Sequence, residues 1–516
     1  MLERANDLTR GSTLRADVCI VGAGAAGITL ARELAGGRHS VVVLESGAFD
    51  FSEATQDLYA GTNSGLPYDV FGSRLRFFGG STNHWAGQCR PFDQADFEER
   101  AWVPNSGWPF GRKELLPYYE RAQDMCDLGP FEYDAEFWLD RMKDVDALLD
   151  TNTVRTALYQ IGPATHFGTK YRKSVVDAKN VNLVLGANVV NVRVDGKRVA
   201  GVDVKTLEGN DFLVDAKLVV LALGGIENAR LMLASRAQRP AGLGNEHDLV
   251  GRYFMDHSLV AFGRLLLSEA APVPALYYFV GVPMKKAGFP DLKNLATRYV
   301  FGQFILTSQA TRDAEIPNFA AMLSGLRTGQ DTPGITGADI AALVGDIEGR
   351  TGLERPTLEM TTITGETRKG SDHFELQVNM EPTPNPDSRI TLTAELDPLG
   401  VPRVDLRWAF HPNDYASMER GAAILAREFG RRGLGRVHLQ PAETLPVKYG
   451  NHHMGTTRAH RRATQGVVDA NCEVHDVVNL YVAGSSVFPA GGFSNPTLTI
   501  VALALRLAER VDKVLS

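Results

Sequence analysis

Cysteine is scarce in this chain, basic runs are missing, and no apolar stretch is long enough to leave water. Four cysteines among 516 residues (Cys19, Cys89, Cys126 and Cys472) show neither zinc-ligand spacing nor a disulfide framework, so a metal or disulfide scaffold is not expected. With 54 basic against 61 acidic residues, a formal charge of −7 and no Lys/Arg block, nucleic acid is not an expected partner. The most apolar helix candidate, residues 498–505, is too short to span a bilayer and runs on into Arg506, Glu509 and Arg510. No membrane partner is expected from it. Residues 1–15 carry charges throughout and contain neither an apolar secretory core nor a twin-arginine signal, so the expected address is the cytoplasm.

What is present is a globular composition, 44% hydrophobic and 22% charged, suited to two to four domain-sized units. Residues 17–45 organise the rest. Residues 17–21 (DVCIV) read as a buried parallel strand and run into the glycine turn GAGAAG at 22–27, which opens a helix over 28–34. A second apolar run over 40–44 ends in Glu45. In such a βαβ unit Gly22 permits the tight turn, Gly24 lets a pyrophosphate approach the backbone, and Gly27 lets helix and strand pack closely. Glu45, 23 residues beyond Gly22, is placed to accept hydrogen bonds from ribose hydroxyls, which favours FAD or NAD over a 2′-phosphorylated nucleotide.

Further along, residues 79–85 (GGSTNHW) form a glycine- and hydroxyl-rich loop carrying His84. A helix is expected within 111–127, and short strands over 183–194, 200–206, 211–214 and 218–223. The last of these turns through Gly224 and Gly225 into a helix, a second element of a dinucleotide-binding sheet. Strict alternation over 373–380 (HFELQVNM) predicts a strand with one polar face, on which Gln377 is a candidate substrate contact. Residues 389–393 and 403–408 read as a hairpin, and 415–429 as an amphipathic helix.

Two C-terminal segments complete the set. One holds His452 and His453 before a glycine turn, with no partner at zinc spacing, so no metal site is expected there. In the other, residues 480–482 form a buried strand ending at Gly484 and Ser485, where backbone N–H groups can meet a phosphate. Asn495 reads either as the cap of the final helix, with Pro496 near its first position, or as an amide facing a bound ring.

Taken together, GAGAAG, GGSTNHW, LGGIENAR (223–230), HHMGTTR (452–458) and YVAGSSVFPAGGFSNPTLT (481–499) resemble the glucose-methanol-choline family of FAD oxidoreductases, and within it the pyranose oxidase-like branch. The resemblance implies a mixed α/β and α+β protein with two parts. A Rossmann-like FAD-binding domain would be assembled from residues 14–115, 180–256 and 445–516, and a substrate domain with a mainly antiparallel sheet from 116–179 and 257–444, with a lid or oligomer insertion at 311–370. It implies FAD contacts at Gly22, Gly24, Ala25, Gly27, Glu45, Gly80, Ser81, Asn83, His84, Val189, Gly224, Gly484, Ser485, Asn495 and Thr497. It places the catalytic pair on His452, as base, and Asn495, with His453 a further substrate contact. His84 stands where pyranose oxidases bond covalently to the flavin methyl group, although a histidine there does not compel the bond. Arg458-Ala459-His460 departs from the family's common Arg-Met-Gly, a change expected to alter the loop and not the chemistry.

The activity so implied is FAD-dependent oxidation of a secondary ring hydroxyl, C2 or C3, of a pyranose or glycoside, with oxygen as acceptor or, in a dehydrogenase, a quinone or cytochrome. A non-redox FAD-containing lyase on the same scaffold is the rival reading. An NAD-dependent dehydrogenase is disfavoured because only one nucleotide fingerprint is present and no separate nicotinamide domain is apparent.

Overall fold

The computed structural model describes the chain apart from residues 143–144, 164, 269–270, 273, 278–279, 284–296, 326–372 and 442–444. The expected insertion therefore lies largely outside the described residues. Of its first residues, 319–325 form a sheet strand.

The nucleotide unit forms much as its sequence pattern dictates. The strand Thr13–Val21, whose last four residues are buried, turns at Gly22 (φ 100°) into the helix Ala25–Leu34, and Val41–Glu45 returns beside it in parallel. A side chain at that φ would be strained, and its Cβ would also lie 2.7 Å from the Ala222 carbonyl oxygen. Around this pair an eight-stranded sheet runs in the order Leu2–Arg4, Val181–Leu185, Val41–Glu45, Thr13–Val21, Asp211–Leu221, Arg198–Lys205, Asn188–Asp195, with Leu480–Val482 also paired in parallel to Asp211–Leu221. This is a Rossmann-like sheet carrying an antiparallel meander on one side. The C-terminal helix Thr497–Leu515 lies against Ala25–Leu34 and the helix Leu116–Met125, burying Leu498, Val501, Leu505 and Ala508. Each large aliphatic chain so buried contributes about 1.5–3 kcal/mol.

Two strand expectations need correction. Residues 183–194 are two strands, Val181–Leu185 and Asn188–Asp195, because Gly186 (φ 74°) breaks the run. Conversely, 211–214 and 218–223 belong to one strand, Asp211–Leu221, in which Asp215 and Lys217 are simply the outward positions of an alternating pattern.

The second sheet is almost wholly antiparallel and contains nine strands among the described residues, in the order Gly435–Leu439, Ser258–Leu267, His373–Met380, Phe319–Gly325, Thr297–Leu306, Val154–Ile161, Gln88–Cys89, with Val280–Pro283 and Val447–Tyr449 attached. Gln88–Cys89 and Val447–Tyr449 join this sheet, although both fall within segments expected to build the nucleotide domain.

The two faces of this sheet differ in chemistry. Phe262, Phe304, Leu376, Val378 and Met380 on one face pack with Met418, Ala422, Leu425 and Phe429 of the helix Asp414–Arg431. The opposite face carries Gln303, Gln377, Asn379 and Tyr159, together with Phe301 and Ala320, and meets Phe493 of the C-terminal loop. Tyr159 Oη and Asn379 Nδ2 both donate to the Phe493 carbonyl, at 3.2 and 3.1 Å. The second sheet is thereby tied to the segment that leads into Asn495.

Candidate active site

The glycine motifs converge on an open helix N-terminus. Gly24 caps the helix Ala25–Leu34 without any side-chain hydrogen bond, and a Cβ added at Gly24 would meet nothing within 4 Å. Gly224 and Gly484, which begin the helix Gly224–Ala234 and the short turn Ser485–Val487, are equally bare. Gly80 closes over the first of these, its added Cβ falling 3.1 Å from Gly24 Cα. Unpaired helix N–H groups beside bare backbone are what a pyrophosphate requires. The cradle therefore fits a dinucleotide.

Glu45 is buried behind this turn. Its carboxylate accepts from the N–H of Ala23 (2.9 Å) and of Gly47 (2.8 Å), so it first shapes the loop; each oxygen keeps capacity for a ribose hydroxyl. Burial raises its pKa, against these hydrogen bonds and the charge of Arg76. Among the other expected contacts, Asn83 Nδ2 donates to the Phe78 carbonyl and Ser81 Oγ accepts from Leu75 N–H, so both brace their loop. Ser485 Oγ donates to the His453 carbonyl, while Ala25, Val189 and Thr497 are half-buried.

A buried charge cluster anchors the helix that starts at Gly224. Arg74, Arg76 and Arg230 all reach Glu227, and Arg230 also pairs with Asp397 at 2.7 Å. Burial alone would raise Glu227, but the guanidiniums of Arg230, Arg74 and Arg76 hold it down to about 2.

The histidine pair lies beside two of these turns: a Cβ added at Gly225 would fall 2.4 Å from the His453 carbonyl oxygen, which also accepts from Ser485 Oγ. The turn into His452 passes through Asn451 with φ 61°, a left-handed conformation that Asn tolerates better than most residues. Asp256 holds that turn: its Oδ1 accepts from the N–H of His452 (2.9 Å) and Gly450 (3.2 Å), and its Oδ2 from the Tyr68 hydroxyl (2.5 Å). Burial pushes the Asp256 carboxyl up to about 7 despite these donors.

His452 is half-buried, with Nδ1 2.8 Å from Nδ1 of His257. His257 is fully buried, and its Nε2 lies 2.8 Å from the carbonyl oxygen of Gly492. Loss of hydration, then the neighbouring His257 and His453, holds His452 well below the ordinary histidine range. Its imidazole is accordingly neutral at neutral pH. Burial also depresses His453, to about 3, with Arg74 and His84 adding to the effect. The His453 ring leans on Phe254 and Tyr68, and its Nε2 is buried without a partner among the described residues.

Asn495 is half-buried, and its side chain forms no hydrogen bond with any described residue. It does not cap the final helix, which starts after Pro496 with no side-chain cap bond, so capping does not account for this residue. Gln377 Nε2 donates to Glu375 Oε1 at 2.7 Å on the polar face of the sheet. On the same face, Gln303 Oε1 and Asn379 Oδ1 are buried without partners among the described residues.

The structure thus links His452, through His257 and Gly492, to the loop that carries Asn495. Tyr68, Asp256, His257, Gln303 and Asn379 were not singled out from the sequence. A signal was present for two of them, since an adjacent Asp-His pair precedes a strand, but its partners lie some two hundred residues away. Among the described residues there is no cluster of three or more His, Cys, Asp or Glu side chains suited to a metal ion, and no helix long and apolar enough to cross a membrane.

Comparison with known proteins is consistent along the chain. Residues 17–241 match the family described as FAD dependent oxidoreductase, and residues 384–504 match the family described as GMC oxidoreductase. A 2-methyl-1,2-propanediol dehydrogenase of Mycolicibacterium austroafricanum is 25% identical over 96% of this chain and 95% of its own length. A C-glycoside 3-oxidase of Microbacterium trichothecenolyticum is 26% identical over 87% of this chain and 76% of its own. The crystal structure of a formate oxidase shares the fold, with a TM-score of 0.59 and 17% identity over 99% of this chain and 100% of that one.

Proposed function

We propose, from the premise that this chain belongs to the GMC family of FAD-dependent oxidoreductases acting on alcohol or sugar hydroxyl groups, that it oxidises a secondary ring hydroxyl, at C2 or C3, of a pyranose or glycoside to the ketone. The observation that carries the reading is a neutral, half-buried His452 joined through His257 to the loop bearing an unpartnered Asn495. Gly24, Gly224 and Gly484 would hold the cofactor's phosphates, and Glu45 a ribose. FAD held there would supply a hydride acceptor for the alcohol carbon. His452 takes the hydroxyl proton, a role that needs an unprotonated imidazole at the working pH. Asn495 holds the alcohol oxygen and so fixes which C–H faces the cofactor. Misplacing such a group costs on the order of 10²-fold in rate.

A sugar is favoured over a simple alcohol by the polar sheet face, where Gln303, Gln377 and Asn379 offer amides to a polyhydroxylated ring. Two relatives are named for such substrates, the C-glycoside 3-oxidase and a fructose dehydrogenase large subunit of Gluconobacter japonicus, whereas the 2-methyl-1,2-propanediol dehydrogenase is named for a simple diol.

The test is an anaerobic visible spectrum titrated with glucose and then with a panel of methyl glycosides. Bleaching of the flavin band at ~450 nm by a sugar is the expected outcome. Re-admitted air then distinguishes oxygen from another acceptor. A bound flavin that no sugar bleaches overturns the sugar reading and favours the lyase.

A further inference from the structure

We infer that His257 is a positioning residue that fixes the tautomer of His452 and thereby makes His452 Nε2 the basic atom, an inference that rests on the reading of His452 as the base. The argument follows the hydrogens. Gly492 offers His257 only a carbonyl oxygen, which accepts and cannot donate, so His257 Nε2 carries a hydrogen toward it across 2.8 Å. Full burial keeps the His257 ring neutral, so it has that single hydrogen and its Nδ1 presents a lone pair. That lone pair faces His452 Nδ1 at 2.8 Å. Two lone pairs do not meet at that distance, so the hydrogen between them belongs to His452 Nδ1.

A neutral His452 has no second ring hydrogen, and its Nε2 is left as a lone pair. That nitrogen makes no hydrogen bond to a described residue and is not sealed inside the protein. In water a histidine carries its hydrogen mainly on Nε2, the form that would have no lone pair to offer there. His257 reverses this preference. In the reaction the substrate O–H bond breaks, an Nε2–H bond forms on His452, and the O–H electron pair stays on the substrate oxygen. The imidazolium so produced keeps its Nδ1–H on the His257 lone pair, so the ring stays oriented through the proton transfer. Asp256, the residue beside His257, continues the same device: its side-chain carboxylate accepts from the His452 backbone N–H, so ring and main chain of the base are fixed by consecutive residues.

The test compares wild type, His257→Leu, His257→Asn and His452→Ala as holoenzymes. Leucine removes the acceptor at comparable volume, whereas asparagine places its Oδ1 close to the position of the lost Nδ1. ¹⁵N-histidine NMR at neutral pH, with the His452 signal identified by its loss in His452→Ala, reads the tautomer without any substrate. The expected result is an Nδ1–H form in wild type and His257→Asn and a shift to the Nε2–H form in His257→Leu. In anaerobic stopped-flow with whichever of glucose or a methyl glycoside reduces wild type fastest, His257→Leu should lower the limiting rate on the order of 10²-fold, with about tenfold recovered by asparagine. Sugar affinity should stay within about twofold, since the loss falls on the chemical step. An Nε2–H form in wild type, or a tautomer unchanged in His257→Leu, overturns the inference. If His452→Ala reduces as fast as wild type, it is the base assignment that fails, and the tautomer result then describes the pair without a catalytic role. Should the leucine variant not fold, wild type and His257→Asn still decide the tautomer.

Discussion

A single methyl group separates the cofactor cradle from the fold. Gly24 and Gly27 lie three residues apart in one turn, and the structure gives them opposite sensitivities. At Gly24 (φ −84°, ψ −162°) an alanine is conformationally ordinary, and its Cβ meets no atom within 4 Å. By narrowing the unfolded ensemble, Gly24→Ala should leave the apoprotein unchanged or stabilise it by about 0.4–1 kcal/mol. The same methyl would stand where the pyrophosphate approaches the backbone. Overpacking of about 1–3 kcal/mol there corresponds to roughly 5- to 150-fold in FAD affinity. At Gly27 the Cβ would fall 1.9 Å from the Gly22 carbonyl oxygen, so the helix must retreat by more than an ångström, drawing buried Ile28, Leu30 and Ala31 off the sheet. Gly27→Ala should therefore cost about 3 kcal/mol or more in the apoprotein itself. Urea unfolding of apoprotein and FAD titration by fluorescence quenching measure the two quantities separately. Full FAD affinity in Gly24→Ala, or an apoprotein of wild-type stability in Gly27→Ala, would refute the assignment of these glycines.

Three other outcomes follow from the site. Asp256 has a folded pKa of about 7 against about 3.8 unfolded, so its contribution to stability is greatest at low pH and is lost as pH rises toward 7. Asp256→Asn, which cannot ionise, should gain on wild type between pH 4 and 7 by up to about 1.4 kcal/mol per pH unit in urea unfolding, and a constant difference would contradict this. Because burial holds His452 below the ordinary 6.5, kcat/KM should stay level from pH 8 down to that value, with its acid limb lying lower; a limb centred at 6.5 would show an exposed base. A covalent link through His84 would leave the yellow colour with acid-precipitated chain and release it in His84→Ala, whereas free FAD in the wild-type supernatant shows a non-covalent cofactor.

The legible part of this protein was its local part. The 17–45 unit announces itself because a strand buried on both sides is continuously apolar and its turn admits only glycine at Gly22. The strand His373–Met380 was equally plain from its alternation, and its apolar side does pack on the helix Asp414–Arg431. Strand limits failed where one residue's backbone decided them. Gly186 interrupts an apolar run that reads as continuous, and Asp215 and Lys217 interrupt a strand only in composition. The neighbourhood of the proposed base was half legible. His452 and Asn495 stand in motifs, but His257 earns its position from a carbonyl at Gly492 and a ring at His452, contacts spanning 235 and 195 residues that no local pattern encodes.

The central claim is that His452 accepts the proton of a sugar hydroxyl. Its most direct test is anaerobic stopped-flow reduction of His452→Ala by the sugar that bleaches the wild-type flavin. FAD retained at wild-type content, with the limiting reduction rate lowered on the order of 10²- to 10⁴-fold, is the predicted result. Reduction at the wild-type rate with FAD still bound would contradict it.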